Sequence, residues 1–170
     1  MTIHGARGVK VSGGLIRDFA FGVVVENSAN VVLKDLLIRA QGLVVTAPPP
    51  ETGIMIVQAS NVVIQDNAIH NNAIHNLGLG IFVRGGRSRG NRIAGNTLTA
   101  GTNGVLGICY NPAPGDPNGP RGDLVDGNLV SGFATSIVFS DLSAANITRG
   151  NTLVFNDAAF QSPNPSNQDI

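Results

Sequence analysis

Residues 53–76 read GIMIVQASNVVIQDNAIHNNAIHN, and the fold turns on how this stretch is parsed. It holds three short apolar runs, 54–57, 62–64 and 68–69, separated by small or polar residues rather than by helix-length segments. Three strands in about twenty residues cannot close a core alone. They need like neighbours above and below, which predicts a solenoid whose repeating unit is this segment.

A repeat is tested by its columns. With Asn67 as the anchor, Asn96, Asn128 and Asn151 take the same slot downstream, and Leu36 and Gly14 take it upstream. Two places after the anchor stand Ile16, Ile38, Ile69, Leu98, Val130 and Leu153, all apolar. Three places before it stand Val11, Leu33, Ile64, Ile93, Val125 and Thr148, apolar except the last. Alternation within each run sends one set of side chains inward and the next outward, as a pleated strand requires. Asn suits the anchor because it tolerates a left-handed bend and its amide can both donate and accept one coil away. Stacked copies predict an asparagine ladder within one turn.

The run Gly53-Ile54-Met55-Ile56, followed by Asn61-Val62-Val63-Ile64-Gln65-Asp66-Asn67-Ala68-Ile69, resembles the repeat of the right-handed parallel β-helix in the pectate-lyase-like superfamily. The resemblance spans roughly residues 8–155. It implies an all-β, right-handed parallel β-helix solenoid with three short strands per coil. About six coils are expected, each rising roughly 4.8 Å. It does not fix an activity, because lyases, hydrolases, epimerases, phage spikes and non-catalytic surface proteins share the fold. An enzyme of this kind would be a polysaccharide lyase or a glycoside hydrolase.

Composition agrees with a single domain. The 170 residues are 42% apolar, enough for a sizeable core, while 22 glycines and only 5% aromatics suit narrow coils with recurring tight turns. Basic and acidic residues both number 11, so no net field recruits nucleic acid or an anionic membrane. One cysteine, Cys109, excludes an intrachain disulfide and a Cys-based zinc site. No leader-like start and no long apolar run is present, so neither a signal peptide nor a membrane span is expected. The native compartment stays open, and is extracellular if the chain is excised from a larger secreted protein.

The β-helix domain is expected over residues 1–155, with an incomplete first coil that begins at its second strand. An uncovered coil end is an unpaired sheet edge, which points to a larger parent protein or to a partner. Residues 156–170 carry almost no apolar content and are expected to be a mobile or draped tail. Pro48-Pro49-Pro50 cannot lie in a central strand and reads as a stiff spur, either a cover for apolar side chains or a wall beside a substrate.

Several groups carry possible chemistry. Asp66, His70 and His75 could form a base with its orienting carboxylate, although His is also an ordinary choice in an Asn-rich turn. Arg84, Arg87, Arg89 and Arg92 crowd a glycine-rich turn where guanidinium groups could grip an acidic polysaccharide, or simply offset Asp66, Asp123 and Asp126. No metal site or cofactor is expected. Calcium is conceivable only at Asp116-Pro117-Asn118-Gly119, where carboxylates are too few. Arg121-Gly122-Asp123 and the sequon Asn146-Ile147-Thr148 are common tripeptides that carry no assignment alone.

In the resembled enzymes, the outer face of the first strand carries the acidic cluster or the calcium-binding set. Here the expected outward stripe is Val24, Met55, Phe82, Leu106 and Val138, an apolar set suited to contact with a loop, the tail or another copy. Two functions follow: a module that binds or processes polysaccharide, or a non-catalytic assembly module that pairs as a homo-oligomer or within a larger parent protein.

Overall fold

The structure, a computed structural model, describes residues 1–17, 19–39, 52–57, 64–65, 68–70, 73–86, 88–100, 104–112, 114–154 and 156–170, with backbone alone at 64–65, 68–70 and 73–77. Its strands pair in parallel with the equivalent strands of the coils before and after. The first sheet orders Thr2–His4, Phe21–Glu26, Thr52–Val57, Leu79–Arg84, Leu106–Asn111, Thr135–Phe139 and Ala158–Gln161. The second runs from Lys10–Ser12 through Val32–Lys34, Ala68–His70, Arg92–Ala94, Leu124–Asp126 and Ile147–Arg149 to Gln168–Asp169. The third runs from Leu15–Arg17 through Leu37–Arg39, Ala73–Leu77, Thr97–Ala100 and Leu129–Ser131 to Thr152–Val154. Among the described residues no helix is long and apolar enough to cross a membrane.

The three sheets enclose a narrow core. Val23, Val25, Ile54, Ile56, Ile81, Val83, Ile137 and Phe139 face it from the first sheet, Leu33, Ile93 and Val125 from the second, and Ile38, Leu98 and Val130 from the third. Burying each such side chain is worth roughly 1.5–3 kcal/mol relative to leaving it exposed. Tyr110, Phe139 and Phe160 continue the column as edge-to-face pairs, with centroids 4.7 Å and 5.6 Å apart.

The turns follow a two-residue rule. A left-handed residue, usually Gly, precedes a side chain that points inward and ties itself to a neighbouring coil. Gly95, Gly127 and Gly150 have φ of 63°, 59° and 59°. Behind them, Asn96 Nδ2 donates to Asn128 Oδ1, and Asn128 Nδ2 to Asn151 Oδ1, both at 2.9 Å. The left-handed bend therefore belongs to the residue before each of these asparagines, not to the Asn itself. The same arrangement recurs one turn earlier, where Gly90 precedes Asn91, Gly122 precedes Asp123 and left-handed Ala145 precedes Asn146.

Four expectations need correction. Ile69 pairs with Leu33 and Ile93 in the second sheet, and it is Ile74 that joins Ile38 and Leu98 in the third, so the register built on Asn67 slips by five residues within that coil. Residues 67–76 are the pentapeptide NAIHN written twice, and the two copies serve consecutive sheets; Asn67 itself lies outside the described residues. Leu106 aligns with Leu79 and Thr135, while Cys109 stands beside Phe82 and Val138 in the outward stripe. The first coil is not missing its first strand, because Thr2–His4 pairs with Phe21–Glu26. Residues 156–170 are not a draped tail: Ala158–Gln161 and Gln168–Asp169 add strands to the first and second sheets, with Phe160 against the core. Few apolar residues suffice there, since a terminal strand needs only one inward anchor and a paired backbone.

Candidate functional site

The outer face of the first sheet carries, coil by coil, Val24, Met55, Phe82, Cys109 and Val138 in register. Strand alternation makes this so: their neighbours Val25, Ile56, Val83 and Phe139 are sealed in the core, while Val24, Met55, Phe82 and Val138 are half-buried. Cys109 is only 2% exposed, and burial pushes its thiol up to about 12, which makes it a packed apolar group rather than a nucleophile.

The next outward column holds Glu26, Val57, Arg84 and Asn111. Glu26 is its one acidic member among the described residues, and Oε2 lies 3.0 Å from His4 Nδ1. Among the described residues no three His, Cys, Asp or Glu side chains gather in a way that could hold a metal ion. A paired-carboxylate site of the hydrolase kind has no counterpart on the described part of this face.

Basic residues gather at the corner between the first and second sheets. Arg84 closes the strand Leu79–Arg84, the chain turns through Gly85 and Gly86, and Arg89 follows on the strand Ser88–Arg89. Arg89 bridges in parallel to Arg121 of the next coil, and both are exposed. Neighbouring coils lie roughly 4.8 Å apart, so two like charges leave the surface side by side. The loop before Arg121 fixes the corner: Asp116 Oδ2 accepts from the Gly86 amide at 2.9 Å, and Arg121 Nη2 donates to the Gly86 carbonyl at 3.2 Å. Asp116 Oδ1 also accepts from the Asn118 amide, so the segment considered for calcium is a turn that braces the arginine loop.

The remaining sequence candidates separate. Arg92 stands apart, with Nη2 3.4 Å from Asp126 Oδ2, and Asp126 also receives Arg149 at 3.3 Å, an exposed ion-pair network on the second sheet. Arg87 and Asp66 lie outside the described residues. The backbone places His70 in the second sheet beside Lys34 and Ala94, and His75 in the third beside Arg39 and Thr99. The two imidazole-bearing positions thus belong to different walls. Asp123 of the Arg-Gly-Asp tripeptide is buried, as is Asn146 of the sequon; the Asp123 carboxylate accepts from Asn91 of the preceding coil, and the Asn146 amide donates to Asn167 of the next. Neither is presented to a receptor or a glycosyl transferase.

The profile described as a right handed beta helix region matches residues 1–111. The chain belongs to the right-handed β-helix family. No curated protein matches it. For this β-helix protein, membership settles the architecture and its hand, while chemistry rests on the surface residues above. Reading the sequence alone missed Arg121, Cys109 and the role of Asp123. The signal for the last was there: Gly122-Asp123 repeats Gly90-Asn91 one coil on.

Proposed function

We propose that this β-helix module binds an acidic polysaccharide at the corner formed by Arg84, Arg89 and Arg121. The observation that carries the reading is the exposed, in-register pair Arg89 and Arg121. Like charges carried on backbone positions one coil apart repel each other unless an anion lies between them, and a guanidinium can take a carboxylate or sulfate oxygen through paired donors. Repeated acidic groups along a sugar chain supply such bridging anions. Binding rather than cleavage is the reading, because the described first-sheet face offers an apolar stripe where a hydrolase would carry carboxylates.

The test is affinity electrophoresis and calorimetry against a polyuronate, a sulfated glycan and a neutral glucan across a salt series. Binding confined to the anionic polymers and weakened by salt is expected, with Arg89→Ala or Arg121→Ala losing on the order of tenfold for each bidentate contact removed. Equal binding to the neutral glucan, or unchanged binding by both variants, would remove the proposal. A reducing-end and unsaturated-product screen on the same polymers separates binding from processing.

A second reading rests on a different observation. Val24, Met55, Phe82 and Val138 make a continuous half-buried apolar row, which suits contact with another copy. Its first check is the solution mass of the wild type.

A further inference from the structure

Ahead of each second-sheet strand in the C-terminal half, one polar side chain is turned into the coil: Asn91, Asp123, Asn146 and Asn167, all buried. The row is tied from coil to coil. Asn91 donates its backbone N–H to Asp123 Oδ1 at 2.8 Å and its amide to Oδ1 and Oδ2 at 3.2 Å and 3.0 Å. Asn146 in turn donates its backbone N–H and its amide to Asn167 Oδ1, both at 3.0 Å. Between them the pattern changes. The link from Asp123 to Asn146 Oδ1 is made by the backbone N–H alone, at 3.0 Å. A carboxylate has no proton to give, so the side-chain half of that link is missing when Asp123 is ionised.

Among the described residues no basic side chain acts on it as a counter-charge. From the first sheet, the titratable group facing this position is Tyr110, whose buried hydroxyl finds no partner among the described residues, while its neighbour Cys109 lies on the outward face. Burial and the nearness of Asp123 push the Tyr110 phenol well above its ordinary range, as burial does the Cys109 thiol, so both stay neutral. From the preceding coil comes the neutral amide of Asn91, held by Ser88 Oγ at 3.0 Å, and from the following coil the neutral amide of Asn146. Arg89 and Arg121 lie on the exposed side of the same turn, Arg121 donating to the Gly86 carbonyl. On the strand that follows Asp123, Asp126 is paired with Arg92 and Arg149 outside the coil. A buried charge without a cation is costly, and a proton relieves it.

We propose that Asp123 is a proton-operated weak point between the coils: neutral, it can act as one more donor in the row, and ionised, it loosens the join between the coils of Asn91 and Asn146. Burial, opposed by the two Asn91 hydrogen bonds, raises its carboxyl from 3.8 to about 7. Between those values the folded chain holds a proton that the unfolded chain has released. Stability contributed at this site is therefore full below about 4, falls as pH rises, and has gone once pH passes about 7. The folding equilibrium constant drops by up to about tenfold per pH unit across that window. The module is thus firmest in acidic surroundings.

The experiment compares urea melts of the wild type and Asp123→Asn at half-unit steps from pH 4.5 to 8.5. The substitution supplies the missing donor at nearly the same size. The expected result is a wild-type midpoint that falls toward pH 7.5 while the variant lacks that fall and is the more stable of the two at pH 8. Every other titratable group is common to both proteins, so the difference between the curves isolates Asp123. An infrared titration of the wild type runs alongside and needs no variant: a protonated carboxyl band should persist to about pH 6.5, well above any solvated carboxyl. Parallel melting curves, or a carboxyl band that vanishes by pH 5, would overturn the proposal.

Discussion

At the scale of single residues, the turns set strict conformational demands and one position does not meet them well. Gly8, Gly90 and Gly122 occupy the left-handed slot before the inward side chain, with φ of 71°, 65° and 66°, and Ala145 occupies it at 54°. An L-residue with a Cβ is disfavoured there by roughly 1–2 kcal/mol. Ala145→Gly should therefore stabilise the protein, by about 0.5–1 kcal/mol after the greater freedom of glycine in the unfolded chain is offset. The reverse change, Gly122→Ala, should destabilise it by about 1 kcal/mol. Chemical melts of the two variants check both signs, and an Ala145→Gly midpoint at or below the wild type would mean that the backbone strain at 145 has been overstated. Asn30, with φ of 55°, fills the slot without a glycine because Asn enters this region more readily than other side chains.

At the scale of strands, the repeated Gly-Ile-x-Val pattern has a steric origin. Gly22, Gly53, Gly80 and Gly107 stack at the corner where the third sheet hands over to the first. A Cβ on Gly107 would meet the Ser136 carbonyl at 2.5 Å and collide with Val130 Cγ1; one on Gly80 would collide with the Gly107 carbonyl. Gly107→Ala should cost about 1–3 kcal/mol through overpacking. Ser136, the next member of the column, buries a hydroxyl that finds no partner among the described residues, so Ser136→Ala should be neutral or stabilising by up to about 1 kcal/mol. Equal losses at 107 and 136 in thermal melts would contradict the column. The apolar periodicity made the strand type and most of the inward positions legible without coordinates. Leu106 falls outside the stripe because Gly107 is the column glycine that starts the pattern Gly-Ile-Cys-Tyr, which sets Cys109 in the outward position. The slip around Asn67 has the same kind of cause, since two identical NAIHN copies give a one-dimensional reading no means of choosing between them. The arginine turn was visible as a cluster, but Arg121 comes to it only through pairing between coils, and local sequence does not carry that information. Residues 156–170 looked structureless for a related reason: their partners are far away in the chain.

At the scale of the whole molecule, the solenoid presents long flat faces, and the apolar row on the first sheet asks to be tested by charge. Phe82 is half-buried on that row, and the adjacent Val83 is fully buried in the core. An aspartate at 82 can turn its carboxylate to water in an isolated chain, whereas one at 83 would be trapped between coils without a partner. Phe82→Asp should therefore leave the melting midpoint within about 1 kcal/mol of the wild type, as expected for a surface change. Val83→Asp should prevent folding. If the row joins two copies, Phe82→Asp should also convert a wild-type oligomer to a monomer in light scattering at unchanged circular dichroism, because the charge is buried only at the contact. A monomeric wild type that retains glycan binding removes the assembly reading and leaves the arginine corner as the working surface. Unfolding by Phe82→Asp would instead mean that the strand period has been assigned one residue out.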